Sequence, residues 1–443
     1  MKSFLQFLHS TLVSLNEGAV SHARTYIAAR KAHNLLSAGE PYTTTPFPMK
    51  VPAADFSTTK GVWAQVADID KNTGGVYVHK TTPSVKHEEP DIISKGIGTV
   101  LISPTSMSPD IVAHELRHGQ QYAGMEASER FREARKDPKF QEDLAAYYIN
   151  PTPENKQAVA SGIIDRPSSN ISPFYFKKRS KHLTRFMSDI GGHGSSLIGS
   201  EVMRKLSPTA AASYLPDYSM DTVELDARQQ QDIHNTINPI EHAIKTNNLG
   251  TLIHHHLSPE TQKTIADHLR LFAKSGNRQH LHDAVQTVKN GLVETTFTNH
   301  TANTYHTQSK KILDELRSAF LNGAERSVFE HIQRHPGSKP AFSHSDKSGV
   351  LNFGQYRDTA LRAIDRFQNH LNQDLINRSN SSRAAAHLVL THGLGIEDHI
   401  AQYFQTTQNP SMRLPEHTAP AVAAYRQETA KARDPDFKNF PGS

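Results

Sequence analysis

The 443-residue sequence contains no cysteine, which excludes disulfides, thiol catalysis and thiolate metal sites. It has no uninterrupted apolar run approaching the roughly 20 residues a membrane-spanning helix needs. Neither a glycine-rich phosphate loop nor a nucleophile elbow appears, and no internal repeat stands out. Net charge is nearly absent too. Lys and Arg number 49 against 44 Asp and Glu, leaving +5, so the chain has no strong field for a polyanion. What remains is a soluble composition, 36% hydrophobic and 21% charged, able to bury a core. Histidine is the excess: there are 27.

The first residues, Met1 to His9, combine an early Lys2 with several apolar side chains, as a signal peptide does. Gln6, His9, Ser10 and Asn16 interrupt that pattern, whereas Phe4, Leu5, Leu8, Leu12 and Leu15 fall at helical spacing. The reading is an amphipathic helix over 1–37, ending near Ser37-Ala38-Gly39. The protein is therefore expected in the cytoplasm, or exported without a cleavable signal. A Pro- and Thr-rich stretch, 41–52, reads as linker or extended edge. Gly61–Val66 and Gly75–His79 flank a polar turn at Asp70–Gly74 and read as a hairpin. A third run, Thr99–Ile102, leads into a helix. Beyond about residue 125 the pattern is helical: Tyr356, Ala360, Ile364, Phe367, Leu371 and Leu375 repeat every 3.6 residues, as do Ile312, Leu316, Phe320 and Ala324. Loops are marked at 151–153, 168–173, 336–354 and 410–420. The fold class is α+β, predominantly helical, with a small β-sheet. The division is an N-terminal helical segment 1–44, a catalytic domain 45–240 with a helical insertion at about 125–205, and a helical C-terminal domain 241–443.

One segment carries chemistry: His114-Glu115-Leu116-Arg117-His118. Histidines at i and i+4 share a helix face and reach one ion. The glutamate between them lies about 100° around the axis, beside the ion, where it can take a proton from activated water. In a His-rich chain chance supplies about 0.1 such matches, and His331 to His335 repeats the pair without the glutamate. Context favours the first segment. Ser108-Pro109-Asp110 is a helix start, a strand precedes it, and Gly124 offers a stop. On the wheel, Ile111, His114, Glu115, His118 and Tyr122 share one sector, and Val112, Leu116, Gly119 and Ala123 the apolar one beside it. Ala113, Arg117 and Gln120 are left to face outward.

A catalytic zinc needs a third protein ligand. A histidine six residues after His118 would mark a metzincin, but Gly124 stands there. The segments His114 to Gln121 and Asp221-Thr222-Val223-Glu224-Leu225-Asp226-Ala227-Arg228 together resemble the two signatures of small gluzincin-like metallopeptidases of bacteria and their phages. That resemblance implies Glu224 as third zinc ligand, Ala227 as the small residue where two helices approach, and Glu115 as general base. It covers about 30 residues and does not reach the C-terminal helices. Two other readings of the carboxylates stay open. Asp221 and Glu224 also form a capping-box pattern, and Glu142 is a rival ligand at shorter spacing. Asp226 lies about 200° from Glu224, and His234 sits too far along the helix. Arg228 is placed to steady Glu224. Tyr122, Tyr214, Tyr218 and His193 are conceivable oxyanion donors, none of them chosen.

Phe174 to Lys181, with Arg185 and Phe186, mixes basic and aromatic residues, which at this net charge reads as a solvated helix face, not a nucleic-acid surface. His254-His255-His256 reads as an exposed helix end. The expectation is a zinc metallopeptidase acting on a protein or peptide, with His114, His118 and Glu224 as ligands to Zn2+. The competing reading is a non-catalytic helical interaction protein whose metal site is degenerate or structural. Export as a bacterial effector is a third reading, different in biology, not chemistry.

Overall fold

The computed structural model describes residues 2–44, 48–51, 54–57, 61–69, 73–79, 98–164, 181–191, 196–213, 220–296, 301–333, 353–431 and 433–434. In chain order these form α1 (Lys2–Ser37), β1 (Tyr42–Thr43), β2 (Pro48–Val51), β3 (Ala54–Ser57), β4 (Trp63–Val66), β5 (Gly75–His79) and β6 (Gly98–Ile102). Helices follow: α2 (Pro109–Ala134), α3 (Pro138–Ile149), α4 (Pro153–Ile164), α5 (Lys181–Ile190), α6 (Ser196–Leu206), α7 (Pro208–Ala212), α8 (Thr222–Lys245) and α9 (Leu249–His256). The remainder are α10 (Pro259–Ser275), α11 (Arg278–Thr296), α12 (Thr301–Leu321), α13 (Glu325–Gln333), α14 (Phe353–Leu388), α15 (Ile396–Thr406) and α16 (Ala419–Lys431). The architecture is predominantly helical α+β, as expected. Among the described residues no helix is long and apolar enough to cross a membrane.

The chain folds as two compact units, the first of residues 1–167, 229–300 and 379–443, the second of 168–228 and 301–378. In the first unit α1 ends at Ser37 and Gly39 takes a left-handed φ of 80°, a conformation glycine adopts without cost. The 41–52 stretch supplies β1 at the sheet edge and one strand of the separate β2–β3 hairpin. The expected hairpin of 61–66 with 75–79 does not form. The sheet order is β1-β4-β6-β5, with β6 parallel to β4 and antiparallel to β5. The reason lies in burial: all five residues of β6 are buried, so this apolar strand takes the centre and separates the two more polar ones.

The sheet packs on α2 and on the C-terminal half of α1. Val62, Ala64, Val100 and Ile102 meet Val112, Ala113 and Leu116, with Ala29, Ala32 and Leu36 from α1. The motif helix does not stop at Gly124 but runs to Ala134. Ala123, Ala127, Phe131 and Ala134 continue its buried face, and their burial outweighs the about 1 kcal/mol an interior glycine costs. Phe131 meets Phe140 edge to face at 6.0 Å, folding α3 and α4 back against α2 beyond the predicted loop at 151–153.

A second core of this unit joins Ala19, Ala23 and Tyr26 of α1 to α8, to α10 and α11, and to the C-terminal helices. After Leu388 the chain makes a π-turn, Val389–Leu394. The turn presents Thr391 to a buried ion pair: Lys289 Nζ donates to Glu397 Oε1 at 2.7 Å and to Thr391 Oγ1 at 2.9 Å. Burial alone would raise the Glu397 carboxyl, but the Lys289 charge and the hydrogen bonds hold it low.

The second unit has its own core. Leu183, Phe186, Met187 and Ile190 meet Ile312, Leu316 and Phe320, with Tyr356, Ala360, Ile364, Phe367 and Leu371 along α14. Both predicted helical repeats are thus buried faces as far as Phe320 and Leu371, while Ala324 and Leu375 are half-buried. Phe186 is buried while Arg185 is exposed, as a solvated face requires. Residues 174–180, the loops at 168–173 and 336–352, and His335 lie outside the described residues. His254 and His255 are exposed at the end of α9.

His234 of α8 is fully buried and packs on Tyr26, ring centroids 4.2 Å apart. Burial, aided by the charges of Arg30 and His33, lowers its pKa from the ordinary 6.5 to about 3. The folded state therefore holds this ring neutral where the unfolded chain protonates it. Its contribution is complete above about pH 6.5 and is lost as pH falls towards 3, by up to about 1.4 kcal/mol per pH unit. Thermal unfolding of wild type and His234→Leu between pH 7 and 5 checks this: the variant should lose less stability with acid. Parallel pH dependences would refute the assignment.

Candidate metal centre

The motif helix starts where expected. Ser108 is extended (φ −134°, ψ 148°), Pro109 occupies the first turn and Asp110 follows, although the Ser108 side chain makes no capping bond. The face assigned to solvent is covered instead. Ala113 is fully buried, and Arg117 Nη1 donates to Ser21 Oγ and to Gln120 Oε1, each at 2.7 Å. Gln120 Nε2 donates to Ser21 Oγ, and Thr25 Oγ1 donates to Gln120 Oε1, both also at 2.7 Å. The helix wheel separates polar from apolar residues but does not show that a neighbour can be polar too. Here α1 lays its own hydroxyls along Arg117 and Gln120.

The opposite sector carries the histidines. His114 and Glu115 are buried and His118 is half-buried. The two rings stand edge-on, and His114 Nε2 lies 3.2 Å from His118 Nε2. Two nitrogens about 2.05 Å from a tetrahedral zinc are themselves about 3.3 Å apart, so the pair fits one ion. Glu115 Oε1 is 4.0 Å from His114 Nε2, beside the pair. His118 Nδ1–H donates to Gln121 Oε1 at 2.9 Å. That bond assigns the proton to Nδ1 and leaves the Nε2 lone pair for a metal. Gln121 is a positioning residue that sequence reasoning missed; its signal was its place three residues after the ligand.

Two glycines let the sheet come close to these groups. A Cβ on Gly75 of β5 would lie 2.8 Å from Glu115 Cγ, and one on Gly119 would lie 2.6 Å from Val62 Cγ2. Tyr122 stacks on Tyr77 at 5.1 Å, a packing role. Tyr214, Tyr218 and His193 lie outside the described residues.

Glu224 sits in the first turn of α8 and is 4% exposed. Asp221 does cap this helix, its Oδ1 accepting from Val223 N at 2.9 Å. Glu224 Oε1 accepts from Arg228 Nε at 3.0 Å, and the Arg228 guanidinium lies over the Tyr305 ring at 5.2 Å. Asp226 turns to Arg378, 3.7 Å away, and Ala227 is fully buried. Six residues beyond Glu224, Gln230 accepts from His22 Nδ1 at 2.7 Å, and His22 Nε2 is 3.5 Å from Arg117 Nη2. Glu142 is exposed on α3.

Among the described residues of the first unit, His268, His280 and Asp283 could hold a metal ion, their ligand atoms lying within 4.8 Å of one another. The chain matches no family model, no curated protein and no solved structure, so the chemistry rests on the residues themselves.

Removing the Gln121 acceptor should release the His118 tautomer. Gln121→Ala is expected to weaken zinc binding about tenfold while leaving thermal stability of the metal-free protein near wild type. Competition with a chromophoric chelator measures this, and unchanged affinity would remove Gln121 from the site.

Proposed function

We propose that this protein is a zinc-dependent metallopeptidase of gluzincin-like type, with His114, His118 and Glu224 as ligands and Glu115 as general base. The observation that supports the reading most is the grouping on the motif helix: two imidazole nitrogens 3.2 Å apart and a buried carboxylate 4.0 Å from one of them, with Glu224 supplied by the resemblance of residues 221–228. A purely structural site has no use for a buried base beside its ligands, and burying one without a task is costly.

Zinc, when bound, lowers the pKa of water and polarises a carbonyl oxygen. The chain supplies the rest. Glu115 takes a proton from the attacking water and returns it to the leaving amine. Gln121 orients the His118 ring through Nδ1. Arg228 holds one oxygen of Glu224, and its charge favours the ionised carboxylate a ligand must be. The close approach of Gly75 fixes where the Glu115 stem runs. The substrate is a peptide or protein, encountered in the cytoplasm or after export.

Glu115→Gln keeps the shape and removes the base. It should retain zinc and lose peptide hydrolysis by about 10²–10⁴-fold, measured on an unbiased peptide library. Equal turnover in both proteins would remove Glu115 from the reaction. No hydrolysis by wild type would favour the helical interaction protein. The ligand assignment has its own test. Glu224→Ala should lose most zinc affinity at this site and Glu142→Ala none, and the reverse result would transfer the role to Glu142.

A further inference from the structure

Helices α10 and α11 form an antiparallel hairpin in the first unit, joined at Ser275-Gly276-Asn277. Gly276 takes a left-handed φ of 67° and its N–H closes α10 on Phe272 O. The facing apolar stripes, Ile265, Leu269 and Phe272 against Leu281, Ala284, Val285 and Val288, are buried in the larger core of that unit. His268 is next to Leu269 in α10. His280 and Asp283, three apart and so on one face of α11, flank its stripe. Counting outward from the turn, His268 stands opposite Asp283, with His280 one turn nearer the loop.

These three half-buried side chains have their ligand atoms all within 4.8 Å of one another. Two further observations make them more than neighbours. Among the described residues, His268 Nδ1 is closed to solvent and has no hydrogen-bond partner, a deficit that a metal bond would make good. And Asp283 is oriented from outside the trio: Gln279 Nε2, one turn earlier, donates to its Oδ1 at 2.8 Å. A hydrogen bond to a carboxylate from behind is the second-sphere pattern of metal sites. Two imidazoles and one carboxylate select a late first-row divalent cation over magnesium or calcium.

We propose that His268, His280 and Asp283 bind a second zinc-class cation, which pins α10 to α11 across the mouth of their hairpin. We assign it a structural role, joining two helices of one hairpin. The site is independent of the His114 centre, because its ligands come from two other helices.

Zinc content of the full chain, stripped with chelator, re-equilibrated with zinc and desalted, separates the two sites. Two zinc ions per chain are expected in wild type and one in His114→Ala. None is expected in His114→Ala combined with His268→Ala or with Asp283→Asn. Added zinc should also raise the melting temperature of His114→Ala, but not that of the double variants. A His114→Ala protein that binds no zinc, or double variants that keep its one ion, would overturn the proposal. One ion in wild type and in His114→Ala, lost on His268→Ala, would instead uphold this site and reject the first. Should the double variants fail to fold, Gln279→Ala serves. Gln279 is exposed and outside the trio, and its loss in the His114→Ala background should weaken zinc binding about tenfold. Unchanged affinity there would equally overturn the proposal.

Discussion

The seam of hydrogen bonds between α1 and α2 is the constraint on which the site depends. A helix that carries two histidines and a glutamate into a core has to be held in rotation, since a turn of about 100° would bring the next residue to the sheet. Apolar packing alone tolerates such slippage better than hydrogen bonds do. Ser21, His22 and Thr25 of α1 grip Arg117 and Gln120 from behind, and Gly119 admits Val62 and Tyr77 at the sheet side. With both flanks fixed, His114 and His118 have one direction left. The same His22 joins Gln230, so α8 is set by the bonds that orient the motif helix.

Much of this was legible along the chain. The extent of α1, the strand at Thr99–Ile102, the motif helix start and the buried faces of α12 and α14 all follow from periodicity and capping residues. So do the paired histidines, because i,i+4 spacing is a statement about geometry. What failed did so for physical reasons. Gly61–Val66 and Gly75–His79 resemble hairpin partners locally, but strand pairing is decided by which strand can be buried on both faces, and β6 outcompetes them from further along the chain. Gly124 looks like a stop because propensity is local, while the packing of Ala127, Phe131 and Ala134 that overrides it is not.

The candidate ligand sets divide in the same way. The pair on α2 announces itself through spacing within one helix. Glu224 comes into question only through resemblance, since nothing local distinguishes a ligand from a capping carboxylate; Asp221 is indeed a cap. The trio on α10 and α11 was invisible for a related reason. His280 and Asp283 have helical spacing, but His268 joins them only because a left-handed Gly276 turns the chain back by a fixed number of residues. Chain-reversing turns convert unremarkable polar residues into neighbours, and a motif search along the sequence does not see across them.

The first unit is assembled from both ends of the chain, and that has a consequence for synthesis. Ala19, Ala23 and Tyr26 share a core with Ala385, Ala386 and Val389. At about 5–20 residues per second, these helix-1 residues leave the ribosome about 20–70 s before those partners exist. Throughout that interval the part of α1 that meets Ala385, Ala386 and Val389 lacks its last partners, while the sheet and the α2 face of the same helix can already be complete. The nascent chain thus passes through a period in which one stretch of its first helix is an unfinished surface, closed only when the last helices arrive.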